Sequence, residues 1–291
     1  MIASRFGVSR CWTPRSRDTT VSRRSSVTSA SVPSGLMRPT EQFTRLVRRP
    51  DREIPLDEAA LLIAAHDHDV DIPSTLASLD DLAREAPDEP EALAELLFAD
   101  GRFAGNDVDY ADPRNSFLDE VLRRHLGLPI TLSVLMIEVS RRRGRRLEGI
   151  GMPGHFLVGA GPDQFIDPFH GGAVCDAAAC RALFEQLRTV APWTDAYLAP
   201  VGPRAILVRM LANLVHTLVE RSPADAVWAL RLRLAVPGVA AGERRDAAAL
   251  LGTLGRFEEA ATVLDDLARE LDEPSAARAR QDAARLRARA N

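Results

Sequence analysis

No lysine occurs in the 291 residues, so all 37 basic side chains are arginine and Schiff-base chemistry through lysine is excluded. Cysteine is almost as scarce, at Cys11, Cys175 and Cys180. An odd, small set of thiols in a chain without a secretory signal excludes a disulfide framework. Cys175 and Cys180 lack further ligands at zinc spacing, so packing is their expected role and no metal or cofactor is expected. Long apolar runs are missing too. Nothing approaches the roughly 18 residues of a membrane span, and a cytoplasmic protein without membrane contact is expected. The net charge of −4 speaks against a dedicated nucleic-acid protein. Arg141 to Arg146 is a local basic patch, which the favourable placement of cations at a helix C-terminus explains. What is present is ordinary for a globular protein, 46% hydrophobic and 27% charged residues.

The informative stretch is Gly149 to Gly172, G-I-G-M-P-G-H-F-L-V-G-A-G-P-D-Q-F-I-D-P-F-H-G-G. His155 leads into the apolar run Phe156 to Val158. Gly159 to Pro162 marks a turn, and Phe165-Ile166 runs into Asp167. A hairpin would set His155 beside Asp167, two members of a nucleophile–His–Asp arrangement in which the acid orients the imidazole. His170 is a further polar candidate, expected to belong to the Phe169 to Gly172 turn. The blander reading of Asp167 is that Asp-Pro ends a strand.

Upstream, G-L-P-I-T-L-S-V-L-M-I-E-V-S-R-R-R-G places Pro129 just inside a helix start and Gly144 just past its end. Together with N-S-F-L-D-E-V-L-R-R-H, G-I-G-M-P-G-H-F-L-V and F-I-D-P-F-H-G-G, this order resembles the transglutaminase-like superfamily. It is similar above all to the bacterial SirB-type family, in which such a domain precedes tetratricopeptide-like helices. The resemblance covers roughly residues 56 to 271. It implies a papain-like α+β fold, with the nucleophile position on or beside Pro129 and Ile130, neither of which can attack a carbonyl. Thr131 and Ser133 are the hydroxyls near this helix start. A hydroxyl needs a nearby base and an oxyanion hole to act, so Thr131 is expected to serve as a hydrogen-bonding residue of the helix start rather than as a substitute nucleophile.

Along the chain, residues 1–40 carry seven arginines up to Pro39 against the single acid Asp18, and are expected to be disordered, with Met37 as an alternative translation start. Residues 41–200 are expected to form the transglutaminase-like domain. Its helical N-terminal part comprises Leu56 to His66, Ser74 to Glu85, Glu89 to Phe98 and Ser116 to Leu126, with Asp57, Ser74 and Asn115 as caps. The run His66 to Asp71, H-D-H-D-V-D, suggests imidazole and carboxylate metal ligands, but a helix end does not align them and a solvated terminus is expected. Strands are expected near Glu148 to Gly151, His155 to Gly159 and Phe165 to Asp167, then a helix from Ala177. Residues 201–291 are expected to be helical. The segments 225–230 and 259–264 lie 34 residues apart, the tetratricopeptide period.

Three functions stay open on this reading. The first is a non-catalytic module binding a protein or peptide, with a regulatory role, the cleft at His155 and Asp167 serving recognition. The second is a hydrolase or acyltransferase using the same dyad with Thr131 or water. The third is nucleic-acid binding through Arg141 to Arg146.

Overall fold

The computed structural model describes residues 38–187 and 191–290. The arginine-rich extension up to residue 37, with Cys11 and the alternative start at Met37, lies outside the described residues. The chain opens with helices α1 (Pro39–Val47), α2 (Leu56–Ala64), α3 (Ile72–Glu85) and α4 (Pro90–Phe98). Proline stands at the first or second position of α1, α3 and α4, where its missing N–H is no loss. The expected caps were partly displaced. Asp71 rather than Ser74 caps α3, accepting from the Ser74 N–H at 3.1 Å. Asp112 rather than Asn115 caps the 3-10 turn Pro113–Ser116 that precedes α5 (Leu118–Arg124). The helix expected from Ser116 to Leu126 is thus split, and it ends at His125, which takes the left-handed conformation at φ 62°.

Two short strands, β1 (Ala104–Gly105) and β2 (Leu126–Gly127), pair in parallel just before α6 (Pro129–Arg142). Every residue of α6 from Pro129 to Ser140 is buried. A helix apolar on all sides belongs in the middle of a core. It packs against α3, α4, β3 (Glu148–Ile150) and β4 (Leu157–Gly161). The sheet is completed by β5 (Gln164–Asp167), β6 (Ala173–Cys175) and β7 (Pro200–Val201), in the antiparallel order β6-β5-β4-β3-β7. Alternation divides its two faces. Phe156, Val158 and Ile166 join the main core, while Leu157 and Phe165 pack with Ile150, Cys180 of α7 (Ala177–Gln186) and Trp193 in a smaller one.

The C-terminal helices are α8 (Pro203–Arg221), α9 (Ala226–Ala235), α10 (Ala241–Thr253), α11 (Phe257–Ala268) and α12 (Glu273–Ala290), each packed on its neighbour. Helix α8 also packs on α2, α6 and the Pro113–Ser116 turn, so one apolar core runs from Phe43 to Ala283. The fold is α+β, with a small antiparallel sheet set against many helices. Among the described residues no helix is long and apolar enough to cross a membrane.

The expected basic patch is largely neutralised, because its arginines hold acids both nearby, Glu138 and Glu148, and on the distant α2, α3 and the turn before α4. Arg142 bonds Asp57 at 2.6 Å, Glu138 at 3.0 Å and Asp80 at 2.7 Å. Arg141 reaches Asp57 and Glu138 as well, Arg143 pairs with Asp88 and Arg146 with Glu148. Asp57 is therefore a buried counter-ion rather than a cap. Burial would raise its pKa, but the bonds from Arg142 and the charges of both arginines hold it below the usual range. Burial, and the repulsion of Asp57, push Glu138 up. Removing one partner from such a network strands the other charges. Arg142→Ala is expected to lower unfolding stability by about 3 kcal/mol in urea titration, and a loss under about 1 kcal/mol would show the pairs to be weak surface contacts.

Candidate functional site

The connection from β3 to β4 turns sharply at Gly154, whose φ is +80°, and the His155 N–H donates to the Met152 carbonyl at 3.1 Å. His155 therefore sits on the turn, two residues before the strand that was expected to begin with it. Its side chain is 4% exposed and Asp167, the last residue of β5, is 6% exposed. The expected approach of the two is seen as a 2.9 Å contact between His155 Nε2 and Asp167 Oδ2.

Asp167 also caps the 3-10 turn Pro168–His170. Oδ1 accepts from the N–H groups of Phe169 at 3.1 Å and His170 at 3.3 Å, and Oδ2 meets His170 Nδ1 at 2.7 Å. His170 belongs to the turn, as expected, and in addition closes on the same carboxylate oxygen as His155. Burial alone would raise the pKa of Asp167, yet the hydrogen bonds from His155 and His170 hold it far below the carboxylate range. An ionised carboxylate only accepts, so both imidazole nitrogens facing it carry protons. The Asp167 bond in turn raises the pKa of His170 against its partial burial. The rings of His155 and His170 stack at 5.4 Å. Gly171 and Gly172 follow at φ +70° and +75°, and a Cβ on Gly172 would lie 3.1 Å from Ala94 of α4. That is why the motif ends in Gly-Gly.

Phe169 forms the wall of the site, edge-on to His155 at 6.2 Å and to Tyr110 at 5.9 Å. It lies so close to β1 that a Cβ on Gly105 would come within 2.5 Å of its ring. Helix α6 packs on the same 168–170 turn, which brings the helix of the nucleophile position to the site. Pro129 and Ile130 are buried there. The Thr131 hydroxyl, fully buried, donates to the Asn115 carbonyl at 2.7 Å and accepts from the Leu128 N–H at 2.9 Å. Ser133 donates to the Pro129 carbonyl at 2.8 Å. Neither hydroxyl bonds His155 among the described residues. The sulfurs of Cys175 and Cys180 lie 3.6 Å apart in a thiol–thiol hydrogen bond, not a disulfide, with Cys175 opposite Phe165 on β6.

Two groups of side chains bring ligand-type atoms within 4.8 Å of one another, His155, Asp167 and His170, and His68, Asp119 and Glu120. The first set is accounted for by its hydrogen bonds. The second revises the solvated terminus expected at His66 to Asp71, since the run is divided between two partners. His68 meets Asp119 at 2.6 Å, while His66 bonds Thr40 at 2.9 Å and stacks on Trp228 of α9. Two residues at the site escaped the sequence reading, Tyr110 and Arg209 of α8. Arg209 Nη2 donates to the His155 carbonyl at 2.9 Å. A charge inside the apolar run Ile206 to Leu211 was the available signal.

The sequence profile of the transglutaminase-like superfamily matches residues 57–212. A UPF0162 protein of Xylella fastidiosa strain Temecula1 is 37% identical over 215 residues, covering 67% of this chain and 76% of that protein. A UPF0162 protein of Pseudomonas aeruginosa is 32% identical over 174 residues, 55% of this chain and 63% of that one. Human F-box only protein 21 is 32% identical over 136 residues, 43% of this chain but 21% of that protein. No solved structure matches significantly.

The raised pKa of His170 fixes a sign. Its protonated form is stabilised in the folded state, so its contribution is fully present below the ordinary histidine value and is lost as pH rises through the folded value. Urea titrations across that window are expected to show wild-type stability declining with pH and His170→Gln declining less. Parallel profiles would contradict the assigned bond to Asp167.

Proposed function

This chain belongs to the transglutaminase-like superfamily, and we propose that within that fold it acts as a non-catalytic module that binds a protein or peptide at the face formed by His155, Asp167 and His170. The observation that carries this reading is the contrast between the two halves of the site. The His155–Asp167 bond is kept, while the start of α6 offers Pro129 and Ile130, both buried, and the Thr131 hydroxyl is taken up by Asn115 and Leu128. A hydroxyl whose proton is held by a backbone carbonyl, away from the base, is not an activated nucleophile. Thr131 is better understood as the residue that closes the first turn of α6.

The SirB-type assignment, with its regulatory association, is part of the same proposal. So is the tetratricopeptide-like character of the tail. Ala226 and Ala260, and Leu230 and Leu264, are buried pairs 34 residues apart, as equivalent positions of a repeat should be. Helical repeats of this kind commonly present a surface to a partner chain.

One observation favours the second reading, a hydrolase that activates water. His155 Nδ1 makes no hydrogen bond among the described residues, and with Nε2 protonated toward Asp167 it is the nitrogen able to accept a proton. The two readings part in one experiment. Mixed peptides are passed over immobilised protein, and the bound fraction is weighed by mass spectrometry before and after incubation. The binding reading expects retained peptides of unchanged mass and weaker retention by His155→Ala. Cleavage or acyl transfer that disappears in Asp167→Ala would establish the hydrolase instead. Thr131→Val is expected to leave retention intact and to cost about 1 kcal/mol of stability in urea titration through its lost hydrogen bonds. Abolished retention in a folded variant would return Thr131 to the site.

A further inference from the structure

Helix α8 carries three arginines whose surroundings differ. Arg204 and Arg221 pair with Asp51 and Asp109. Arg209 lies between the buried Ile206, Leu207, Met210 and Leu211 and pairs with no acid among the described residues. Its guanidinium is positioned over the Phe156 ring at 5.7 Å and spends one N–H on the His155 carbonyl. Nη1 faces Gly151, 3.8 Å from where a Cβ would stand there. Desolvation pushes its pKa down. Arg209 is half-buried, so part of its guanidinium remains open to a ligand, and its partial desolvation would strengthen a bond to an anion.

Tyr110 supplies the second half. Its segment is fastened on both sides, with Asn115 Nδ2 donating to the Tyr110 carbonyl at 3.3 Å and Asp109 held by Arg221. The ring is propped edge-on against Phe169 and the residue is 47% exposed. The Tyr110 hydroxyl has no hydrogen-bond partner among the described residues, and Arg209 is the charge that acts on it. Arg209, bonded to the His155 carbonyl, and Tyr110, linked to His155 through the Phe169 ring, therefore offer unspent donors on the two sides of His155. One uncompensated positive charge matches one negative charge, and a guanidinium fork with a hydroxyl suits a carboxylate.

We propose that Arg209 and Tyr110 form a carboxylate-binding site beside His155, which takes the carboxylate of a peptide, from an acidic side chain or from the chain terminus. The proposal rests on the peptide-binding reading above and names the chemistry of the ligand. It also gives a role to the half-buried charge that α8 sets beside His155.

The test is thermal unfolding of the full chain with millimolar acetyl-Ala-Ala-Glu-Ala-Ala-amide, the same peptide with Gln for Glu, and the Gln peptide with a free C-terminal carboxylate. Glutarate serves as a probe without peptide. At least one carboxylate peptide is expected to raise the midpoint more than the neutral amide, and which one does so identifies the source of the carboxylate. Arg209→Gln is expected to weaken that ligand about ten- to hundredfold, as loss of a charge-assisted hydrogen bond does. Tyr110→Phe, a half-exposed change that keeps the ring on Phe169, is expected to weaken it about three- to tenfold and guards against misfolding of the first variant. Equal shifts from both carboxylate peptides and the neutral amide would overturn the carboxylate site and leave peptide binding standing. An Arg209-dependent shift from glutarate with none from any peptide would keep the site and remove the peptide reading. No shift from any carboxylate would overturn the proposal.

Discussion

Four hydrogen bonds converge on the carboxylate of Asp167, two from the backbone of the turn that follows it and two from imidazoles. The group is buried, so an ionised form survives only because all four donors are in place. One interaction therefore fixes several things together. It ends β5, closes the turn that sets Phe169 against β1, orients His155 and draws in His170. The Gly-Gly pair after the turn allows the chain to double back into β6 at left-handed angles, against the side chain of Ala94. The site stands at the end of β5, inside the sheet order, because the carboxylate that terminates the strand is the same one that orients the base.

The opposite side of the site is set by α6. Its burial over Pro129 to Ser140 makes it the rod around which α3, α4 and the sheet assemble. Its far end is locked by Arg141 and Arg142 to the buried Asp57 and Glu138. A helix held at one end by buried charge and along its length by apolar packing has little freedom to deliver a new group at its start. The start of α6 closes with Thr131 on Leu128 and Asn115, a structural solution in which the hydroxyl has no proton to spare. Residues that orient an imidazole and residues that seal a helix start thus coexist here with neither Thr131 nor Ser133 bonded to His155 among the described residues, the contrast on which the proposed binding role rests.

Much of this was legible in the chain. The helices announce themselves through proline at their starts, and α6 through Pro129 and Gly144. The pairing of His155 with Asp167 follows from two apolar runs joined by a glycine-rich turn. Strands of two or three residues, β1, β2, β6 and β7, were not legible, because so short a run has no alternation to detect. Contacts between remote elements were invisible for a different reason. Asp57 reads as a cap until Arg142, 85 residues later, is placed beside it, and His68 reads as solvated until Asp119 is. Arg209 had a signal, an isolated charge in an apolar helix, but its meaning depends on the His155 carbonyl it reaches across 54 residues. Local rules describe elements well and describe the filling of buried polar groups poorly, since the partners are chosen by the tertiary fold.

Asp167, facing Nε2 as an ionised acceptor, holds the proton of His155 on that nitrogen and leaves Nδ1 outside the bond. Long-range 1H–15N correlation spectra of the histidine rings test this directly, since the two tautomers give distinct nitrogen shifts. The account predicts a protonated Nε2 and an unprotonated Nδ1 for His155 in the wild type, with that preference lost in Asp167→Ala. A proton resident on Nδ1, or a pattern indifferent to the loss of the carboxylate, would contradict it.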